Sequence, residues 1–352
     1  MPIQKITIID FTKMPSGTFL LLDVRSSGEY AHAHIPTAIS LPLFTDEERK
    51  MVGTAYKQQS REMAIKLGLV YFGPKMTEMI ETVEKLVSNL KAELKNTNNN
   101  IPIVVHCWRG GMRSAGIAWL LDLYGFKVLT IIGGYKNYRN WVLQQFEKSY
   151  NFKVLSGYTG SGKTEVLKIL HKKEQAVIDL EYLAKHKGSA FGNLCGDLQP
   201  TQEMFENLLA SHLFKYQDKN IWIEDESQRI GNVNLPSVIF KQKISAEVCL
   251  LDISFEERLK YIITDYGRFN KEDLINAVTR IHKRLGGLET KNATNYLLED
   301  DIYNAFSILL KYYDKLYLKG FLTNHPTESL ITRIKCPTVD AVANADVILQ
   351  HS

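Results

Sequence analysis

The chain has 352 residues, 45% of them hydrophobic and 23% charged, with a formal net charge of +4, which excludes a disordered or collagenous protein and gives room for two ordinary domains. Its four cysteines, Cys107, Cys195, Cys249 and Cys336, stand far apart with no Cys-x-x-Cys pair, so neither a zinc knuckle nor a disulfide framework is indicated. No apolar run approaches membrane-spanning length and Met1 to Met14 lacks a cleavable signal pattern, so the expected setting is a reducing cytoplasm, where Cys107 stays a thiol and a mildly basic surface tolerates nucleic acid or phosphorylated ligands.

The first apolar run, Leu20-Leu21-Leu22-Asp23-Val24, reads as a buried strand. The segment Gly53 to Glu62 then reads as a polar surface insertion, and its Lys57 and Arg61 are candidate contacts for RNA or a phosphorylated donor. From Lys75 to Leu94, apolar residues at 76, 79, 80, 83, 86, 87 and 90 recur every three or four positions, which predicts an amphipathic helix. Lys95 to Asn100 follows as a polar loop inside the domain. Ile103-Val104-Val105-His106 is the next strand.

That strand delivers Cys107 into His106-Cys107-Trp108-Arg109-Gly110-Gly111-Met112-Arg113-Ser114, and a helix is expected directly after Ser114. A strand, loop, helix arrangement aims loop amides and a helix N-terminus at the sulfur, favouring negative charge on it and on what it binds. Gly110 and Gly111 let the backbone curl, while Arg109 and Arg113 can pair with oxyanions. A buried strand-end cysteine would need neither the glycines nor the arginines. Cys107, Arg109 and Arg113 are therefore the candidate catalytic residues, with Gly110 and Gly111 lining the cradle.

Lys127 to Ile132 is a third strand, and a helix is expected from about Lys136 to Lys148. The domain boundary is placed near Ser149 to Asn151. Beyond it the strand Phe152 to Ser156 feeds Gly157-Tyr158-Thr159-Gly160-Ser161-Gly162-Lys163-Thr164, which fits the Gly-x4-Gly-Lys-Thr phosphate loop. Gly157, Gly160, Ser161, Gly162, Lys163 and Thr164 should wrap a di- or triphosphate, with the Thr164 hydroxyl a candidate Mg²⁺ ligand. Asn220 to Asp225 reads as a strand with an acidic end, where Asp225 is the favoured second ligand for Mg²⁺. Ala176 to Asp179 and Ala246 to Leu251 complete the strands. Asp179-Leu180-Glu181 suits either a substrate-binding carboxylate or a helix cap. From Phe255 to about Lys319 the pattern is helical; Arg280 to Gly287 includes Lys283 and Arg284, which suit either a nucleic-acid backbone or a solvated helix end closed by glycine. Alternation of strands and helices implies a parallel sheet in the first domain and makes the second α/β with a helical C-terminal part.

Asp23-Val24-Arg25 with Glu29-Tyr30, then His34-Ile35-Pro36-Thr37-Ala38, together with the cysteine loop, resemble the rhodanese family from about Ile6 to Lys148. In that family the loop cysteine carries a persulfide sulfur. Common rhodanese loops place arginine five residues after cysteine, whereas Arg113 is six after Cys107. The resulting His-Cys-x5-Arg-Ser also matches the protein tyrosine phosphatase signature, which cell-cycle dual-specificity phosphatases carry on a rhodanese fold. The first domain taken alone leaves chalcogen transfer and phosphatase chemistry both open.

The fusion of such a loop to a phosphate-loop domain resembles the bacterial tRNA 2-selenouridine synthase family. Gly53 to Gln58 (Gly-Thr-Ala-Tyr-Lys-Gln), Gly133-Gly134-Tyr135-Lys136, Glu224-Asp225-Glu226-Ser227 and Arg284-Leu285-Gly286-Gly287 extend the likeness over nearly the whole chain. The resemblance implies a rhodanese-like parallel-sheet domain over residues 1–149 and a P-loop α/β domain with a helical C-terminal part over 150–352. It implies a tRNA-modifying transferase that replaces sulfur by selenium in wobble 2-thiouridine. Selenophosphate is the implied donor, and the thiouridine is first S-geranylated from geranyl diphosphate. No tightly bound cofactor is expected beyond a candidate Mg²⁺; the implied partners are the anticodon arm of tRNA and a selenophosphate-producing enzyme. Two alternatives stand beside it: a Cys-x5-Arg phosphatase fused to a nucleotide-binding domain, and a P-loop kinase with a rhodanese-like module.

Overall fold

Short runs of branched and aliphatic residues become the buried strands of two parallel sheets. The structure, a computed structural model, describes residues 3–94, 101–186, 198–267, 269–325 and 327–351. The chain divides into two units, Met1–Gln145 and Phe146–Ser352, the break falling at the end of the helix Gly134–Phe146. The expected loop at 95–100 and Cys195 lie outside the described residues.

In the first unit β1 (Gln4–Ile6), β2 (Leu20–Asp23), β3 (Ile39–Ser40), β4 (Ile103–His106) and β5 (Val128–Ile131) form one sheet in the order β1-β5-β4-β2-β3, every pairing parallel. The central strands β2 and β4 are buried throughout, which is why they read as unbroken apolar runs. The helix Met76–Leu94 lays Met79, Val83 and Val87 on the sheet beside Ile117 and Leu121 of the helix Met112–Tyr124. Each such side chain contributes about 2 kcal/mol by leaving water, more than helix propensity supplies. The expected polar insertion is instead a pair of helices, Asp46–Gln58 and Arg61–Phe72, each opened by a side-chain cap from Thr45 or Ser60.

In the second unit β6 (Asn151–Gly157), β7 (Ala176–Ile178), β8 (Asn220–Glu224), β11 (Glu247–Asp252) and β12 (Ile331–Lys335) build a parallel sheet ordered β12-β11-β6-β8-β7, and β9 (Arg229–Ile230) and β10 (Val233–Asn234) form a small antiparallel ribbon. The phosphate loop leaves the carboxyl end of the central strand β6, the position at which open α/β sheets bind ligands. Between β11 and β12 runs a layer of helices with its own core of Leu259, Leu274, Val278, Leu297, Phe306 and Leu309. Its last member is the long helix Ile302–Asn324. The chain then returns to the sheet as β12, and the helix Ala341–Gln350 buries Ala345 and Ile348 in the core that holds Val166, Leu167 and Leu170. Among the described residues no helix is long and apolar enough to cross a membrane.

Candidate active-site loops

Cys107 is the first residue past β4 and is buried. The loop turns at Gly110 (φ +64) and closes at Gly111, the N-cap of the helix Met112–Tyr124, so the helix starts at Met112 and takes in Arg113 and Ser114, ahead of its expected start after Ser114. The Cys107 sulfur lies 3.2 Å from the Ser114 hydroxyl, which in turn donates to the Gly111 carbonyl at 3.0 Å. A second segment straps the loop from outside. The Tyr135 N–H donates to the Cys107 carbonyl and the Lys136 N–H to the Trp108 carbonyl, both at 2.9 Å. Gly134 (φ +57) lies so close that a Cβ would strike that Cys107 carbonyl, so the motif Gly133-Gly134-Tyr135-Lys136 is a backbone clamp on the cysteine loop.

The two arginines differ in station. Arg109 is exposed on the loop itself. Arg113, in the first helical turn, donates to Glu29 Oε2 at 2.7 Å, and Arg49 from the helix Asp46–Gln58 reaches the same oxygen at 3.0 Å. Burial pushes the Glu29 carboxyl up, but the hydrogen bond and charge of Arg113, the Ser26 amide and Arg49 outweigh it and hold it below the ordinary value. The sequence gives no sign of Arg49 in this role, because its partner lies in a different helix.

Asp23 and Arg25 form a buried pair under the loop. Arg25 binds both carboxylate oxygens, donates to the Ala33 carbonyl at 2.7 Å, and lies 3.8 Å from the Tyr135 ring centre. His106, wholly buried, sits 3.8 Å from the Asp23 carboxylate with both ring nitrogens lacking a hydrogen-bond partner among the described residues. Burial pushes its pKa down to about 4 against the pull of Asp23, so the imidazole is neutral near pH 7.

In the second unit Lys163 folds over the phosphate loop and donates to the Gly157 carbonyl at 3.0 Å. Gly160 and Gly162 take positive φ, +81 and +72. Thr164 donates to Glu181 at 3.4 Å, and the Ser161 hydroxyl is buried without a partner among the described residues. This is a curled loop with a lysine parked on it, the shape that receives a phosphate chain.

The acidic strand end is arranged differently from the expectation. Successive extended residues point to opposite sides. Asp225 therefore parts from its neighbours and is held by Lys243 at 3.2 Å, His325 at 3.1 Å and the Ser156 hydroxyl. Burial raises its pKa, but these partners outweigh it and keep the carboxyl ionised. Glu224 and Glu226 instead join Glu181, with carboxylate oxygens of all three within 4.8 Å of one another. Glu224 Oε2 is buried with no hydrogen-bond partner among the described residues. Burial, then Glu181 and Glu226, pushes the Glu224 carboxyl well up; burial also raises Glu226, while the Lys163 charge opposes the rise in both. Three carboxylates beside Thr164, one of them orphaned, fit a hard divalent cation. Asp225, already held by Lys243 and His325, does not join that set. Asp179 caps the helix Leu180–Ala184 through the Tyr182 N–H, whereas Glu181 joins the three-carboxylate group.

The other basic candidates are surface residues. Lys57 lies in the last turn of one helix of the first unit and Arg61 starts the next, both exposed. Lys283 and Arg284 are exposed on the short helix His282–Leu285, closed by Gly286 at φ +97.

The two sheets and their loops define a class: a rhodanese-like domain followed by a P-loop domain. Residues 10–140 match the rhodanese-like domain family and residues 150–333 the tRNA 2-selenouridine synthase AAA domain family. The chain is 34% identical over 346 residues to the tRNA 2-selenouridine synthase of Sulfurovum sp. (strain NBC37-1), covering 88% of this chain and 90% of that protein. It is 38% identical over 291 residues to that of Shewanella denitrificans (76% and 75% of the two chains) and 32% identical over 357 residues to that of Shewanella pealeana (90% and 93%). The chain belongs to the tRNA 2-selenouridine synthase family.

Proposed function

We propose that this protein converts wobble 2-thiouridine in tRNA to 2-selenouridine, using selenophosphate as selenium donor and an S-geranyl intermediate made from geranyl diphosphate. The observation that carries the reading is the presence, in one chain of this family, of a buried thiol in a strapped loop and an intact phosphate loop. The two loops suit different leaving groups.

The phosphate loop suits geranyl transfer. As the thiouridine sulfur bonds to the geranyl carbon, the carbon–oxygen bond breaks and pyrophosphate departs with the electron pair. Loop amides and Lys163 would stabilise that charge. Thr164, Glu181, Glu224 and Glu226 would hold Mg²⁺, whose contribution when bound is charge neutralisation on the diphosphate. The cysteine loop suits selenium delivery: Cys107 meets the donor, Arg109 and Arg113 neutralise its phosphate, the selenium of selenophosphate bonds to carbon 2 as geranyl thiolate leaves, and water then cleaves the phosphorus–selenium bond to release phosphate. Lys57, Arg61, Lys283 and Arg284 suit the tRNA backbone. A selenophosphate-producing enzyme would supply the donor.

Asp23, the aspartate beside the cysteine loop, is buried and bound to Arg25, which disfavours the general acid that a phosphatase needs. The deciding test incubates purified protein with 2-thiouridine tRNA, geranyl diphosphate and selenophosphate and follows nucleosides by mass spectrometry. S-geranyl-2-thiouridine should rise and decay as 2-selenouridine accumulates. Absence of both, with aryl phosphate hydrolysis that Cys107→Ser abolishes, would replace this reading with the phosphatase.

A further inference from the structure

One face of the long helix Ile302–Asn324 and the residue after it meet the phosphate loop and the acidic end of β8 at three heights. Asp314 takes both terminal nitrogens of Arg258 at 2.8 Å, and Arg258, only 4% exposed, also donates to the Thr159 carbonyl at 2.9 Å. One turn on, the Tyr317 hydroxyl accepts the Gly157 N–H at 3.1 Å, and its ring lies 4.9 Å from that of Tyr158. Two turns further, His325 reaches Asp225. Donors and acceptors along this face have a single polarity. Ser156 has one hydroxyl proton, which goes to Asp225 Oδ2, so Tyr317 must donate to the Ser156 oxygen that lies beside it. The series runs from Gly157 N–H to Tyr317, from Tyr317 to Ser156, and from Ser156 to the Asp225 carboxylate, whose other oxygen is held by Lys243 and His325. Gly157 is thus pinned at both ends of its residue, the N–H by Tyr317 and the carbonyl by Lys163.

We propose that Tyr317 is a positioning residue for diphosphate binding, fixing the Gly157 end of the phosphate loop while Asp314, through Arg258, fixes the Thr159 carbonyl. The loop's amides converge on an anion only if its peptides keep one orientation. Gly157 ends β6 opposite Leu251, and the long helix adds a restraint on Gly157 and Thr159 from outside the loop. Asp225, placed near the phosphate loop by sequence, serves here as the anionic end of the series.

The proposal rests on the reading that this loop holds a diphosphate, and the experiment separates the two. Inorganic pyrophosphate binding is measured calorimetrically for the wild type, Lys163→Ala, Tyr317→Phe and Asp314→Asn, alongside steady-state kinetics with geranyl diphosphate. Tyr317→Phe keeps the ring against Tyr158 and removes one hydroxyl, so its pyrophosphate Kd and its KM for geranyl diphosphate should rise about ten-fold, with KM for tRNA unchanged. A merely structural tyrosine would change neither constant selectively. Equal pyrophosphate affinity in wild type and Lys163→Ala would defeat the diphosphate reading itself. Affinity lost in Lys163→Ala but retained in Tyr317→Phe would overturn the positioning role alone. Should Tyr317→Phe not fold, Asp314→Asn decides, with a weakening of at least about three-fold expected and wild-type affinity overturning the proposal.

Discussion

Arg113 and Glu29 meet at 2.7 Å across 84 residues of sequence. The Glu29 oxygen that receives Arg113 also holds Arg49, so two guanidinium groups converge on one carboxylate at the mouth of the helix that follows Cys107. The planar fork of Arg113 is what suits it to hold Glu29 and an incoming oxyanion together. Arg113→Lys should therefore lower kcat/KM for selenophosphate by at least about ten-fold, since a lysine cannot reproduce forked donation. Glu29→Gln should do less, because both arginines remain. Steady-state selenation kinetics decide it; wild-type kinetics for Arg113→Lys would remove Arg113 from the site.

Cation binding should follow Glu224 and Glu226 rather than Asp225. Glu224→Gln and Glu226→Gln are expected to weaken Mn²⁺ binding, followed by electron paramagnetic resonance, at least about ten-fold. Asp225→Asn should keep wild-type Mn²⁺ affinity and lose about 3 kcal/mol of stability, because it leaves Lys243 buried without its counter-ion. Reversal of the two results would restore Asp225 as the ligand.

His106 makes the first unit sensitive to mild acid. Its folded pKa of about 4 lies below the ordinary 6.5, so the unfolded chain takes up the proton first. The stabilisation is complete above pH 6.5 and is lost progressively as pH falls towards 4. His106→Gln cannot take up that proton. Denaturant unfolding of wild type and variant at pH 7 and pH 4.5 should show the wild type losing more stability; equal losses would mean that His106 does not titrate in this window.

The exposed basic residues should govern tRNA affinity through salt. Lys283→Ala and Arg284→Ala are each expected to weaken binding to all tRNAs alike and to reduce the slope of log affinity against log salt by about one. Filter binding at several salt concentrations measures this. An unchanged slope in both variants would assign the run to a solvated helix end.

Much of this was legible in the chain because the relevant signals are local. β2 and β4 are buried on both faces and read as unbroken apolar runs, and each candidate loop lies within nine consecutive residues. The edge strands β1, β3 and β12 escaped, since three exposed or half-buried residues such as Gln4–Ile6 carry no period. The helices Asp46–Gln58 and Arg61–Phe72 read as a polar insertion because each buries at most three residues. Nothing local separates Asp225 from Glu224 and Glu226 as a cation ligand. The choice depends on Lys243 and His325, 18 and 100 residues away, which no local pattern brings to it. Tyr317 and Arg258 are equally remote from the loop they hold.

The proposed division of the chemistry between the two loops is tested by crossing two variants. Cys107→Ser and Lys163→Ala are each given 2-thiouridine tRNA, geranyl diphosphate and selenophosphate, and the nucleosides are resolved by mass spectrometry. Cys107→Ser should accumulate S-geranyl-2-thiouridine without 2-selenouridine, whereas Lys163→Ala should leave 2-thiouridine largely unmodified. Normal 2-selenouridine from Cys107→Ser, or intact geranylation with lost selenation in Lys163→Ala, would contradict the division.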